Sequence, residues 1–196
     1  MILEDLFIFG SVMFVAWFLF LYKWPGMLLY VYKRAILVKG FGEGPIPVNT
    51  LYTEPQKLFA EPISSQSASG SNLMTVGVNH DTLATVGWLD LRKGPQVLHV
   101  PDMNGRYYSV QFTNPSNNTS FAYVGKRTTG TKAGDYLITG PDWKGQVPGG
   151  MKQVSSPNNS VLILGRVLVE NDNDLPTAHH LTEQIRLRPL NQKGSL

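Results

Sequence analysis

The chemistry open to this chain is bounded by the reactive side chains it carries. It has no cysteine, which removes disulfide frameworks, thiolate nucleophiles and Cys-ligated metals. Its four histidines are His80, His99, His179 and His180. A zinc site needs ligands whose spacing converges on one point. His179 and His180 are neighbours on an expected helix and point about 100° apart. His99 alternates with Leu98 and Val100 on an expected strand and faces solvent. No metal is assigned. Asp172-Asn173-Asp174 followed by Glu183 has the outline of a calcium loop, but Thr177 stands where the turn glycine belongs and Pro176 takes a ligand position. Helix capping is the better use of these acids. No serine lies in a nucleophile-elbow pattern, and the segment Gly125–Gly134 lacks the Gly-Lys-Ser/Thr ending of a phosphate loop. Lys126, Arg127 and Lys132 read as a solvated turn. The one candidate base is His80 beside Asp81. Adjacent strand residues point to opposite faces, so the pair could act on one atom only if the segment turns. The expectation is a chain that is not an enzyme, with no cofactor and no small-molecule substrate.

The elements that position these residues follow from composition and pattern. Charged residues make up 16% of the 196-residue chain, against about a quarter in ordinary soluble domains. With 19 Gly and 13 Pro, many short strands are favoured over a helical bundle. The formal net charge is only +3, and much of the positive charge follows the first apolar run instead of forming a basic face. No nucleic acid is expected as a partner.

Residues 6–22 read LFIFGSVMFVAWFLFLY, without charge or proline. At 1.5 Å per residue they span about 26 Å, and Lys23 can snorkel toward the headgroups. Residues 1–39 are read as a membrane anchor: a transmembrane helix over about 6–24, presenting Phe7, Phe14, Trp17, Phe20 and Trp24 to lipid, then an amphipathic stretch after Pro25-Gly26. The start carries Glu4 and Asp5, not the basic n-region of a signal peptide, and no small-residue cleavage site follows Tyr22. Lys23, Lys33, Arg34 and Lys39 all lie on the far flank, so the positive-inside rule gives a single pass with the N-terminus outside and the body cytoplasmic. The sequons at Asn117, Asn118 and Asn158 stay unused in that topology.

Residues 40–72, rich in Gly, Pro and Ser, read as a linker. Residues 73–196 read as a β-sandwich domain. Strands are expected at Leu73–Val78, Leu83–Leu91, Gln96–Val100, Arg106–Thr113, Ser120–Gly125, Tyr136–Thr139 and Val161–Val169, each rich in β-branched or aromatic residues and bounded by turn-formers. Val161-Leu162-Ile163-Leu164 suits a strand buried on both faces. Pro101-Asp102-Met103-Asn104-Gly105 is read as the turn of a hairpin. Trp88 and Tyr108 are expected to point into the core. A last helix begins near Leu175, capped by Asp174 with Pro176 in its first turn, and is stopped by Pro189.

Five stretches carry a resemblance. These are Asn79-His80-Asp81-Thr82-Leu83; Leu89-Asp90-Leu91-Arg92-Lys93-Gly94-Pro95; the run from Val100 to Gln111 through Met103-Asn104-Gly105-Arg106; Thr128-Thr129-Gly130 with the run Tyr136 to Trp143; and Gly165-Arg166-Val167-Leu168-Val169. Together they resemble the domain-of-unknown-function-1254 family, over a little more than half the chain. The resemblance implies an antiparallel jelly-roll-like β-sandwich, so the expected fold is mainly β with an N-terminal transmembrane helix and a short C-terminal helix. It implies no general activity. Ala84 stands where the family usually has an aromatic residue. The family pattern marks Asn79, His80, Asp81 and Arg106 as the candidate polar cluster, with Asp81 and Arg106 expected to pair. The family occurs in bacteria and in large viruses of algae and protists. The favoured expectation is a non-enzymatic structural protein, a minor capsid protein of a large algal virus that ties an internal membrane to the capsid. Its partners would be the lipid bilayer and other structural proteins. The alternatives are a periplasm-facing bacterial envelope protein that binds lipid or glycan, and a hydrolase built on His80 and Asp81.

Overall fold

The computed structural model describes residues 2–40, 44–53, 81–117 and 119–190. A single helix, α1 (Ile2–Lys39), precedes nine strands: β1 (Leu51–Thr53), β2 (Thr82–Asp90), β3 (Gln96–Val100), β4 (Tyr108–Asn114), β5 (Thr119–Gly125), β6 (Gly134–Thr139), β7 (Met151–Ser155), β8 (Ser160–Leu168) and β9 (Arg186–Pro189). A second helix, α2 (Leu175–Gln184), lies between β8 and β9. One sheet has the order β1-β2-β8-β4-β5, and the other β7-β6-β3-β9. Every pairing is antiparallel except β6 with β7. The expected strand Leu73–Val78 lies outside the described residues.

The two sheets share one apolar core. Leu83 and Leu89 of β2, Tyr108, Val110 and Phe112 of β4, and Val161, Ile163 and Val167 of β8 meet Leu98, Val100, Tyr136 and Ile138 of the second sheet. These positions follow the period-2 alternation that sends every other side chain inward. Tyr108 is wholly buried, and its hydroxyl donates to the Gly130 carbonyl at 3.1 Å.

Two sequence expectations are corrected here. β3 and β4 do not form a hairpin: β3 belongs to one sheet and β4 to the other, so residues 101–107 cross between sheets. Asn104 and Gly105 still turn with positive φ, as an Asn-Gly pair accepts. Trp88 is buried, but on the face of β2 opposite Leu89. It joins Val86, Leu162, Ile36 and Ile46 in a second apolar cluster on the outside of the five-stranded sheet.

That outer cluster is made by α1. At 1.5 Å per residue its 38 residues reach about 57 Å, and it runs through Pro25 as one helix. Over most of its length the large apolar side chains are exposed; Phe7 is 77% and Trp17 57% accessible. Near its C-terminal end, Leu29, Lys33, Ile36 and Leu37 are less exposed, a stripe at helical spacing that lies on β2 and β8. Gly40 ends the helix with φ +61, and its amide donates to the Ile36 carbonyl at 3.0 Å. A Cβ there would meet the Gly44 carbonyl oxygen at 1.8 Å, so only glycine allows the chain to fold back so tightly. The returning segment tucks Ile46 beneath Ile36 and then pairs as β1 with β2. Leu51–Thr53, within the expected linker 40–72, thus form an edge strand of the sheet.

Trp88→Ala is expected to cost about 3–5 kcal/mol of stability, as is Phe112→Ala. Only the former should loosen α1. Limited trypsinolysis of the full chain in detergent would show faster cleavage at Lys33, Arg34 or Lys39 in Trp88→Ala and no change there in Phe112→Ala.

Candidate functional site

Of the four residues marked by the sequence pattern, Asn79 and His80 lie outside the described residues. Asp81 is exposed at the start of β2, where its carbonyl accepts from the Val169 amide at 2.7 Å. Arg106 does not pair with Asp81 as expected. Its guanidinium grips Asp174 with both terminal nitrogens, Nη2 reaching Oδ1 at 2.6 Å, and Nη1 also donates to the Leu168 carbonyl at 2.7 Å. The two side chains are 13% and 15% exposed. Asp174 Oδ2 further accepts from the Glu170 amide at 2.9 Å.

This use of Asp174 explains a second departure from expectation. Asp174 precedes α2, yet its side chain does not cap the helix. The preceding 3-10 turn is capped by Asn171, whose Oδ1 accepts from the amides of Asn173 and Asp174. The Asp174 carboxylate is directed instead at Arg106, so the chain entering α2 is fastened to the loop that crosses between the sheets. A bidentate Arg–carboxylate pair with a third backbone contact is a strong fastening. The Arg106 guanidinium holds the Asp174 carboxyl below the usual carboxylate range, and Asp174 in turn raises Arg106. Beside the pair lies a crevice of about 280 Å³, lined by Met103, Asn104, Glu170, Thr177 and Leu181 among others. The guanidinium that borders it is already engaged by Asp174, so the pair joins the crossing loop to the lead-in of α2.

Two of the remaining histidines, His99 and His179, face carboxylates. His99 Nδ1 lies 2.7 Å from Asp135 Oδ1, and Arg188 Nη2 holds Asp135 Oδ2 at 3.0 Å, on the outer face of the four-stranded sheet. His179 lies 3.8 Å from Glu183 one helical turn on. Among the described residues no group of three His, Asp or Glu could hold a metal ion.

A second site lies where α1 meets the five-stranded sheet, and sequence reading passed over it. Trp88 Nε1 donates to Ser160 Oγ at 2.7 Å. Lys33 Nζ sits 4.8 Å from the centre of the Trp88 ring and 3.5 Å from the same Ser160 Oγ. Asn49, held at φ +67, clamps the neighbouring edge. Its Oδ1 accepts from the Asp90 amide at 2.8 Å, and its own amide donates to the Trp88 carbonyl at 2.9 Å. The signal in the sequence is the i, i+4, i+7, i+8 spacing of Leu29, Lys33, Ile36 and Leu37 on α1.

Asp174→Asn is expected to lower stability by about 3 kcal/mol at neutral pH, because Arg106 is left without its counter-charge. The folded-state pKa of Asp174 lies below its unfolded value of about 3.9. Its contribution is therefore full above about pH 4 and lost as pH falls through the folded value. Thermal melts between pH 2 and 7 should show a weaker acid-side slope in the variant than in the wild type.

Among the described residues one helix, within Phe7–Lys39, is long and apolar enough to cross a membrane, and its most apolar stretch is not buried against the body. No curated protein matches the chain. A crystal structure of the VPA0106 protein from Vibrio parahaemolyticus is similar, with a TM-score of 0.62 and 27% identity, covering 86% of this chain and 36% of that one. An uncharacterized protein from Burkholderia cenocepacia is matched with a TM-score of 0.41 and 14% identity, covering 72% of this chain and 34% of that one. The chain thus spans about a third of the length of these solved proteins. The family model described as "Protein of unknown function (DUF1254)" matches residues 62–189, and the chain belongs to that family.

Proposed function

We propose that this chain is a membrane-anchored, non-enzymatic interaction protein. In this reading α1 crosses the bilayer once with its N-terminus outside, and the β body, a jelly-roll-like sandwich, stands on the cytoplasmic side and binds other structural proteins. The observation that carries it is α1 itself. Its apolar side chains are exposed from Phe7 onward, while its last turns are seated on the sheet by Ile36 and Trp88. Exposed apolar surface of that extent on a single helix needs lipid or another apolar partner around it. Lys23, Lys33, Arg34 and Lys39 on one flank support the orientation. Seated in this way, the body is held close to the bilayer surface, a geometry that suits a protein joining a membrane to an overlying protein layer, as a minor capsid protein does.

A second reading is a bacterial envelope protein whose body faces the periplasm and binds lipid or glycan. The bacterial origin of the similar Vibrio parahaemolyticus structure favours it.

In sealed vesicles with the cytoplasmic side outward, added trypsin should digest the β body, and a carbonate wash should leave the chain with the membrane. Full protection of the body would overturn the cytoplasmic orientation in favour of the envelope reading. Release by carbonate would overturn the anchor.

A further inference from the structure

A crevice of about 250 Å³ opens between α1 and the outer face of the five-stranded sheet. We propose that it binds the phosphate of an anionic phospholipid headgroup, held by the Lys33 ammonium and the hydroxyls around it. This rests on the membrane-anchored reading above. Gly26, Tyr30 and Lys33 form the helix side of the crevice, and Trp88, Ser116 and Ser160 the sheet side.

The chemistry of the wall selects an anion. Among the described residues no carboxylate pairs with Lys33; its contacts are the Trp88 ring and Ser160 Oγ. The nearby acid, Asp90, is already held on both oxygens by Arg92, at 2.8 and 2.6 Å. The Asp90 charge is thus shared with Arg92, which leaves Lys33 with positive charge at the crevice. Ser160 Oγ accepts from both Trp88 and Lys33, which fills its two lone pairs and leaves its proton to be donated. Ser116 and Tyr30, which also line the crevice, carry further hydroxyl groups. An ammonium with several O–H groups around a small hollow matches the acceptor oxygens of a phosphodiester.

The position selects a lipid as the source. A core of about 30 Å takes roughly 20 helical residues, so a span that begins at Leu6 ends near Pro25. Gly26 then stands at the boundary of the hydrocarbon, and Tyr30 about 6 Å above it. That is within the headgroup layer, which adds about 5–7 Å on each side. Helical side chains tilt toward the helix N-terminus, which directs Lys33 back toward the bilayer. Gly26 borders open space at the entrance: a Cβ built there meets nothing within 4 Å.

The test uses the full chain in a neutral detergent and reads its melting temperature. Phosphatidylglycerol, phosphatidylcholine and inorganic phosphate are added separately at matched concentrations. Phosphatidylglycerol should raise the melting temperature of the wild type more than either of the others. Lys33→Met, which removes the charge, and Gly26→Leu, which fills the hollow and leaves the charge in place, should each weaken the response at least about tenfold. If Lys33→Met melts early because its contact with Trp88 has changed, Gly26→Leu still decides. No rise with phosphatidylglycerol, an equal rise with phosphatidylcholine, or a rise that survives Gly26→Leu would overturn the site. An equal rise with inorganic phosphate would overturn the lipid as its source. Flotation of the wild type with pure phosphatidylcholine vesicles separately reads the anchor, whose failure is thereby told apart from failure of the crevice.

Discussion

Ile36 of α1 packs against Trp88 and Leu162 on the outer face of the five-stranded sheet, and much of the architecture depends on that contact. Without it, β2 and β8 would present Val86, Trp88 and Leu162 to water, and a long apolar helix would trail from a separate β body. With it, β2 and β8 are covered on both faces at these positions. Each fully buried apolar side chain is worth about 1.5–3 kcal/mol, so a cluster of five side chains outweighs any single surface ion pair in the molecule. The covalent path reinforces the contact. Gly40 reverses the chain, Ile46 returns under Ile36, Asn49 substitutes its amide for a strand partner of Asp90, and β1 then closes the edge.

A second constraint works at the other end of the body. Arg106 and Asp174 are far apart in sequence and join the crossing loop to the lead-in of α2. The pair is largely withdrawn from water, so its value comes from geometry and shared hydrogen bonds more than from charge alone. α2 brings Ala178 into the core between the sheets, and β9 then pairs with β3 to complete the second sheet. The residue types singled out by family pattern thus serve the fold at Arg106, while Lys33, which pairs with no acid among the described residues, lies on a helix that the pattern does not include.

The central strands were legible in the sequence because their alternation is strong. Val161 to Leu164 reads as buried on both faces, and β8 is so placed, with Ile163 inward and Leu162 under α1. The same property hid the orientation of Trp88. When both faces of a strand are covered, apolar residues fall at both parities, and Val86, Trp88 and Leu89 no longer say which face meets which neighbour. The edge strands β1, β7 and β9 were missed because they are short and their burial shows little alternation. The sequence predicts a helix running up to Pro189, yet Arg186 to Pro189 all pair with β3. The Asn-Gly turn was recognised, but its sequence fixes only a local reversal. Arg106 and Tyr107 lengthen the connection beyond a tight hairpin and let it cross to the other sheet.

The central claim is that α1 and the β body are one unit joined at Ile36 and Trp88. The chain has no native cysteine, so a pair of spin labels can be introduced cleanly at Arg34→Cys on α1 and Lys126→Cys beyond β5. Pulsed electron-spin distance measurement on the full chain in lipid nanodiscs should give one narrow distance distribution, which broadens when Ile36→Ala and Trp88→Ala are added. A broad distribution in the otherwise native chain would show the anchor to be a free tether and would contradict the account.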